Sequence, residues 1–335
     1  MAVSTRHMTR HHDYSRLFIA LAVLGGVIAL APIVAAIAGL GGAGVGARTA
    51  FASAPSGEYV VLGRNEGKVD GKRLALVTVD GGSGSHPVAS LNVIDMESGR
   101  IVRAAENVVP GQSPLWSADG GDLVFTRMPS GNESQGPIHL LRVSRDGDRE
   151  RRLREFTSAL GVYPVGYDSE GRLVTVILDA AGTSVDREGA ERLPLSTNLT
   201  RDWKVSPDGL QIAFVDVDAT AGVEYIARTA RLDGRSVESL SAQVSALGTA
   251  WNPATNDPSF GVEPGAGDPT GRIQELSAAG FDVPLGYSAS GKALTVNHWS
   301  GGSFDEPGRP QLQVIAGNSR VTYEDQTRFF GWSSR

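Results

Sequence analysis

Six short segments recur through the chain: PLWS (114–117), VGYD (165–168), WKVS (203–206), TAWN (249–252), LGYS (285–288) and FGWS (330–333). Their third position reads Trp116, Tyr167, Val205, Trp251, Tyr287 and Trp332, at intervals of 51, 38, 46, 36 and 45 residues by subtraction. That spacing is the period of propeller blades. A turn sequence follows most copies (ADGG, SEG, PDG, ASG), with Gly to supply the positive φ of a tight hairpin. A short apolar strand comes next: LVFT (123–126), LVTVIL (173–178), IAFVDV (212–217) or ALTV (293–296). Further strands follow, as in IHLLRV (138–143) and QLQVI (311–315). Four short strands per unit, joined by tight turns, describe a propeller blade.

The alternation within the first strand has a packing reason. Successive side chains point to opposite faces. The residue before the ring position is Leu115, Gly166, Lys204, Ala250, Gly286 or Gly331, four of the six being Gly or Ala. A ring on one face and a small residue on the other let neighbouring blades nest, so the repeat residues read as inter-blade core.

This pattern resembles the TolB-type β-propeller repeat, a WD40-like family whose unit reads roughly Trp-Ser-Pro-Asp-Gly before an apolar strand. The match is closest at WKVSPDGLQIAFVDV (203–217), although Val205 replaces the usual Trp. It is weakest at WNPATNDPSF (251–260), where the turn Gly is missing. The resemblance covers residues 55–335 and implies an all-β, six-bladed β-propeller, with seven blades as the alternative count. It also implies a platform that binds proteins, because members of that family mostly do so. FFGWSSR (329–335) is expected to be an innermost strand paired with a segment from 55–80. Two segments can follow it: PSGEYVVLG (55–63), which reads as turn plus strand, and VDGKRLALVTVD (69–80), the preferred partner, with EYVVLG (58–63) then an added edge strand.

Ahead of the repeats, no charged residue stands between Arg16 and Arg48. The run LFIALAVLGGVIALAPIVAAIAGL (17–40) exceeds the roughly 20 apolar residues that a spanning helix needs. Arg6, Arg10 and Arg16 precede it against Asp13, so the positive-inside rule keeps residues 1–16 cytoplasmic. The expected organisation is a tail (1–16), a transmembrane helix (17–40), a Gly/Ala-rich linker (41–54) and the propeller outside the cytoplasmic membrane, periplasmic or extracellular. The rival is a signal peptide cut within AFASA (50–54), but the apolar run is longer than the usual h-region of about 7–15 residues.

The chain carries a net charge of −6, and residues 1–48 contribute four Arg and one Asp, or +3, leaving −9 for the remainder. An acidic domain argues against nucleic acid as a partner. There is no Cys, and GYSAS (286–290) is one Gly short of a nucleophile elbow. No cofactor or metal site is expected, and no catalytic residue is assigned. The alternative function is a propeller hydrolase, a lactonase or glycan-cleaving enzyme, with a divalent ion in the central channel. Its candidates at the repeat's fourth position are Asp168 and Asn252.

Recognition is instead expected on the long loops between second and third strands: about 80–90, 127–137, 216–222 and 298–310. The last holds His298, Trp299, Phe304, Asp305 and Glu306, an aromatic and charged group suited to a protein or cell-envelope partner. The anchor itself is directly testable. Alkaline extraction of membranes should leave the full-length chain in the pellet, whereas soluble protein beginning near Pro55 would establish cleavage.

Overall fold

The computed structural model describes residues 50–53, 59–63, 66–83, 86–128, 136–218, 224–241, 244–265, 276–277, 279–323 and 328–333. The expected tail, helix 17–40 and most of the linker lie outside the described residues. Among the described residues no helix is long and apolar enough to cross a membrane. The chain divides into two units, Met1–Gly46 with Gly82–Ser85, and Ala47–Gly81 with His86–Arg335. The fold below is that of the second.

It is an all-β propeller. β1 (Ala50–Ser53) and β2 (Tyr59–Gly63) come first. The next sheet holds β3 (Glu66–Asp70), β4 (Arg73–Ser83), β5 (His86–Asp95) and β6 (Ile101–Glu106). Another holds β7 (Leu115–Trp116), β8 (Asp122–Arg127), β9 (Ile138–Ser144) and β10 (Glu150–Phe156). Then come β11 (Gly161–Tyr167), β12 (Leu173–Asp179), β13 (Gly182–Arg187) and β14 (Leu193–Ser196). The following sheet comprises β15 (Thr200–Val205), β16 (Gln211–Val217), β17 (Tyr225–Arg231) and β18 (Val237–Ser239). β19 (Ala246–Asn252) and β20 (Asp257–Val262) form a pair. β21 (Phe281–Tyr287), β22 (Ala293–Trp299), β23 (Pro310–Ala316) and β24 (Ser319–Thr322) complete the four-stranded sheets. β25 (Arg328–Ser333) returns to β2, giving the order β1-β2-β25.

Among the described residues there are thus five complete four-stranded blades, one three-stranded sheet and one two-stranded sheet, not six blades. The difference begins at 66–80. VDGKRLALVTVD does not pair with the FFGWSSR strand. It belongs to a separate sheet, because Glu66–Asp70 is an innermost strand in its own right, folded onto β4 through Asp70↔Arg73. β25 pairs instead with EYVVLG, in the register Tyr59↔Ser333 to Gly63↔Arg328. Residues 50–53, expected in the linker, are the edge strand of that sheet.

The second strand of a blade is buried on both faces, which explains its unbroken apolar sequence. On β8, Leu123 and Phe125 join Trp116 and Leu91 in one cluster, while Val124 joins Val162 and Ile177 in the next. On β16, Ile212 and Phe214 face Val174 and Leu195, while Ala213 and Val215 face Trp251 and Phe260. Such clusters lie between every two consecutive sheets. The last two put Val60 and Leu62 against Leu312 and Val314, and Val61 and Phe330 against Leu74 and Val69.

The repeat residues sit in these junctions. Trp116 and Trp251 are buried, and Tyr167, Val205, Tyr287 and Trp332 are half-buried. The indole N–H groups of Trp116, Trp251 and Trp332 donate to the carbonyls of Lys68 (2.9 Å), Lys204 (2.9 Å) and Gly286 (3.2 Å). Each acceptor lies on the innermost strand of the preceding sheet. Tyr287 reaches back similarly, its hydroxyl 2.7 Å from Ser259 Oγ on β20. The small residues matter in the other direction: a Cβ on Gly166 would come within 2.9 Å of Val205, and one on Gly286 within 2.8 Å of Phe329.

The residue after the ring position holds its turn. Asp168 Oδ1 accepts the amides of Glu170 (3.0 Å) and Arg172 (2.9 Å), and Ser206 Oγ accepts that of Gln211 (2.9 Å). Asn252 Oδ1 accepts the amide of Ala254 at 2.9 Å. In the copy without a turn Gly, Asn256 takes the left-handed conformation (φ 59°), which Asn tolerates better than most residues.

Removing Arg328–Ser333 should open the ring and expose the Val60 and Phe330 clusters together. Thermal unfolding of that deletion should show a lowered or broadened transition; an unchanged melt would mean that the ring does not depend on β25.

Candidate functional site

The strand–loop–strand region 293–316 has more order than a surface insertion needs. β22 continues through His298 and Trp299, so those two residues are paired strand positions (Asp282↔His298, Phe281↔Trp299) and not part of a loop. The connection is 300–309. The 80–90 segment is likewise mostly strand, since β4 runs to Ser83 and β5 starts at His86. Residues 129–135 and 219–223, from two other long loops, lie outside the described residues.

The 300–309 connection is closed on itself. The Arg309 amide donates to Ser300 Oγ (3.1 Å), the Gly301 amide to the Pro307 carbonyl (2.8 Å), and the Glu306 amide to Ser303 Oγ (3.1 Å). A Cβ on Gly301 would lie 1.9 Å from the Glu306 carbonyl oxygen, so the turn admits only Gly there. Phe304 pins the tip. Its amide donates to Glu263 Oε1 (2.5 Å), and its ring meets Phe281 edge-on at 4.9 Å and Tyr225 at 6.3 Å. Trp299 stacks on Phe281 at 6.2 Å. Distances of this order are those of favourable aromatic pairs.

Beneath the cluster is a charged network with no local sequence signature. Asp282 is fully buried and accepts two hydrogen bonds from Arg320, at 2.9 Å and 2.8 Å. His298 Nδ1 lies 2.8 Å from Asp282 Oδ1. Arg320 also donates to Gln313 Oε1 (2.7 Å) and the Leu276 carbonyl (3.1 Å). The buried carboxylate therefore has a two-pronged cation, as a desolvated charge requires.

Of the five expected residues, His298, Trp299 and Phe304 are half-buried and committed to neighbours, whereas Asp305 and Glu306 are exposed. Glu224 is exposed beside Tyr225, and Glu263 lies under Phe304. Burial, then the charge of Glu224 and its hydrogen bond, raise the Tyr225 hydroxyl above its ordinary pKa; Asp305 adds to this and Arg201 opposes it. The result is an aromatic floor with an acidic rim drawn from three sheets. Tyr225 and Glu263 were invisible as site residues because they lie in other repeat units, and Phe281 because it stands on the first strand of the blade, 23 positions before Phe304; all three meet Phe304 only in the folded ring.

A second concavity, of about 680 Å³, is lined by residues of β13, β14, β16 and β17, among them Arg192, Asp216 and Arg228. Its charges are already satisfied: Asp216 pairs with Arg228 at 2.8 Å and accepts from Ser196 Oγ at 2.9 Å.

No family model and no curated protein matches the chain. Solved structures do. The acylaminoacyl peptidase of Pyrococcus horikoshii is 11% identical with a TM-score of 0.51, over 80% of this chain and 46% of that one. TolB from Acinetobacter baumannii is 13% identical with a TM-score of 0.47, over 78% of this chain and 54% of that one. The β-propeller domain of the Pyrococcus furiosus Trilobed protease is 12% identical with a TM-score of 0.48, over 77% and 83%. The chain thus spans about half the length of the first two. At these identities the likeness is one of fold, a β-propeller, and fold does not carry activity.

Phe304→Ala and Trp299→Ala should each cost roughly 1–3 kcal/mol, whereas Asp305→Ala and Glu306→Ala should stay within about 0.5 kcal/mol. Denaturation midpoints measure both. An unshifted Phe304→Ala midpoint would show that the ring does not anchor the loop.

Proposed function

We propose that this chain is a binding platform, a propeller held at the outer face of the cytoplasmic membrane by residues 17–40, which docks a basic segment of a protein partner on the 300–309 side. The observation that carries this reading is the exposed acidic rim of Glu224, Asp305 and Glu306 around the half-buried rings of Tyr225 and Phe304, with Glu263 holding the Phe304 amide. Rigid aromatic area supplies affinity, and like-signed rim charge supplies steering and choice of partner. The membrane location rests on the apolar run and its Arg flank.

The hydrolase reading has weaker support. Asp168 and Asn252 cap their own turns, and Asp168 is further held by Arg172 Nε at 2.7 Å.

An immobilised arginine-rich peptide should retain the full-length protein, and retention should fall with added salt. The double reversal Asp305→Lys/Glu306→Lys should abolish it, while Asp146→Lys, on a distant exposed turn, should not. Equal loss in both variants would reduce the interaction to net charge and remove this surface from consideration.

A further inference from the structure

The concavity of about 680 Å³ beside β17 has walls from two sheets. β13 and β14 form one, and β16 and β17 form the other. Polar side chains gather there for a topological reason. Asp179 ends β12, Ser196 ends β14, and Asp216 is next to the last residue of β16. Strand ends are where the apolar run of each blade stops. Leu195, which packs with Phe214 in the junction between the two sheets, also lines the cavity.

Each wall carries one Asp–Arg pair. On the first, Asp179 Oδ2 accepts from Arg192 Nη2 (2.6 Å), and Arg192 Nε donates to Ser184 Oγ (2.6 Å). On the second, Arg228 Nε stands 2.8 Å from Asp216 Oδ2. Further bonds fix both carboxylates. Asp179 Oδ1 accepts the Ala181 amide (2.9 Å), and Asp216 Oδ1 accepts from Ser196 Oγ (2.9 Å) and Asn198 Nδ2 (3.3 Å). A Cβ on Gly182 would lie 2.3 Å from the Ser196 carbonyl oxygen, so the start of β13 is pressed against the end of β14. Both walls are therefore set without a ligand.

Charge is matched in these pairs, but hydrogen bonding is not. The buried Arg228 Nε–H has no aligned acceptor among the described residues, despite its ion pair. A carboxylate offers about four acceptor positions, and Asp179 uses two of them. The lining then selects the chemistry. With Asp218 it holds three carboxylates against two guanidinium groups, so an anion would meet like charge. A ligand ammonium or carboxylate would also have to take its partner from an existing pair. The Asp216 pair is buried, where breaking it is costly. A hydroxyl needs no such exchange, because it donates to a carboxylate oxygen and accepts from a guanidinium N–H at once. Adjacent hydroxyls of a sugar ring fit the edge of an Asp–Arg pair, and the cavity volume is that of a small-molecule site.

We propose that this cavity binds an uncharged saccharide of one or two rings, held through its hydroxyl groups between the Asp179–Arg192 and Asp216–Arg228 pairs. The site stands apart from the acidic rim. On β17, Tyr225 and Ala227 pack toward the β19–β20 sheet, whereas Arg228 is opposite Phe214 and faces the sheet of β14. Its test is independent of the platform reading.

Saturation-transfer NMR titrations of the full-length protein, in a detergent without a sugar headgroup, would use maltose and cellobiose, with glycine as a zwitterionic arm. At least one disaccharide should bind saturably. Arg192→Gln and Arg228→Lys should each weaken that binding about tenfold or more, the scale of losing a hydrogen bond to a charged group. Lys292→Gln, at an exposed turn of another blade, should leave it unchanged. Arg228→Lys keeps a cation beside Asp216 so that the fold survives, which melting curves check. Thr197→Trp, at an exposed position on the cavity lining, should fill the space and abolish binding with the melt unchanged. Tighter binding of glycine than of either sugar would overturn the saccharide assignment. No saturable binding of either disaccharide, or binding that survives Thr197→Trp, would overturn the site.

Discussion

Sheet packed on sheet is the interaction on which everything else in this molecule depends. Val124 and Leu123 are adjacent on β8 yet belong to different clusters, one shared with the sheet behind and one with the sheet ahead. Ile212 and Ala213 divide in the same way. Each such side chain is worth about 1.5–3 kcal/mol only if its facing sheet is present. No blade has a free-standing core, so the ring is stable as a whole or not at all. The junctions around β2 and β25 are therefore no less important than any other, although strands far apart in sequence supply them.

Much of this was legible in the sequence because the repeat states it locally. The ring residue, the small residue before it and the turn after it lie within a few positions. Lys68-Val69 escaped notice as a copy for the same reason. It has Val in place of a ring, and its turn is two residues shorter than that after Lys204-Val205, so Asp70-Gly71 reads as the turn after FFGWSSR and not as the turn of a copy of its own. The blade count went astray at that point. The site was less legible. Phe304 reads as an exposed aromatic on a loop, and its burial depends on Phe281 and Tyr225, which no sequence window contains. Asp282 reads as a polar strand residue, and only the fold brings Arg320 onto it across 38 positions.

The indole bonds also show how the repeat tolerates loss. Where Trp is present, its N–H satisfies a carbonyl of the preceding sheet that is close to the axis and otherwise hard to pair. Where Val stands instead, at Val69 and Val205, the donor is lost but the apolar contact survives. Val205 fills the space above Gly166, and Val69 joins Phe330. Shape is held at every copy and hydrogen bonding at only some, as expected when burial supplies most of the stability and each bond adds roughly 1 kcal/mol.

Charge is sorted along the same lines. Buried carboxylates each have a guanidinium, Asp168 that of Arg172, Asp216 that of Arg228 and Asp282 that of Arg320 within one blade, and Asp186 that of Arg154 from the preceding blade. Exposed charge is left to water: on the 300–309 connection Asp305, Glu306 and Arg309 are all exposed, and solvated charges of that kind need no fixed partner. Pairing is thus spent where desolvation would otherwise penalise a carboxylate, inside the sheets that hold the ring together.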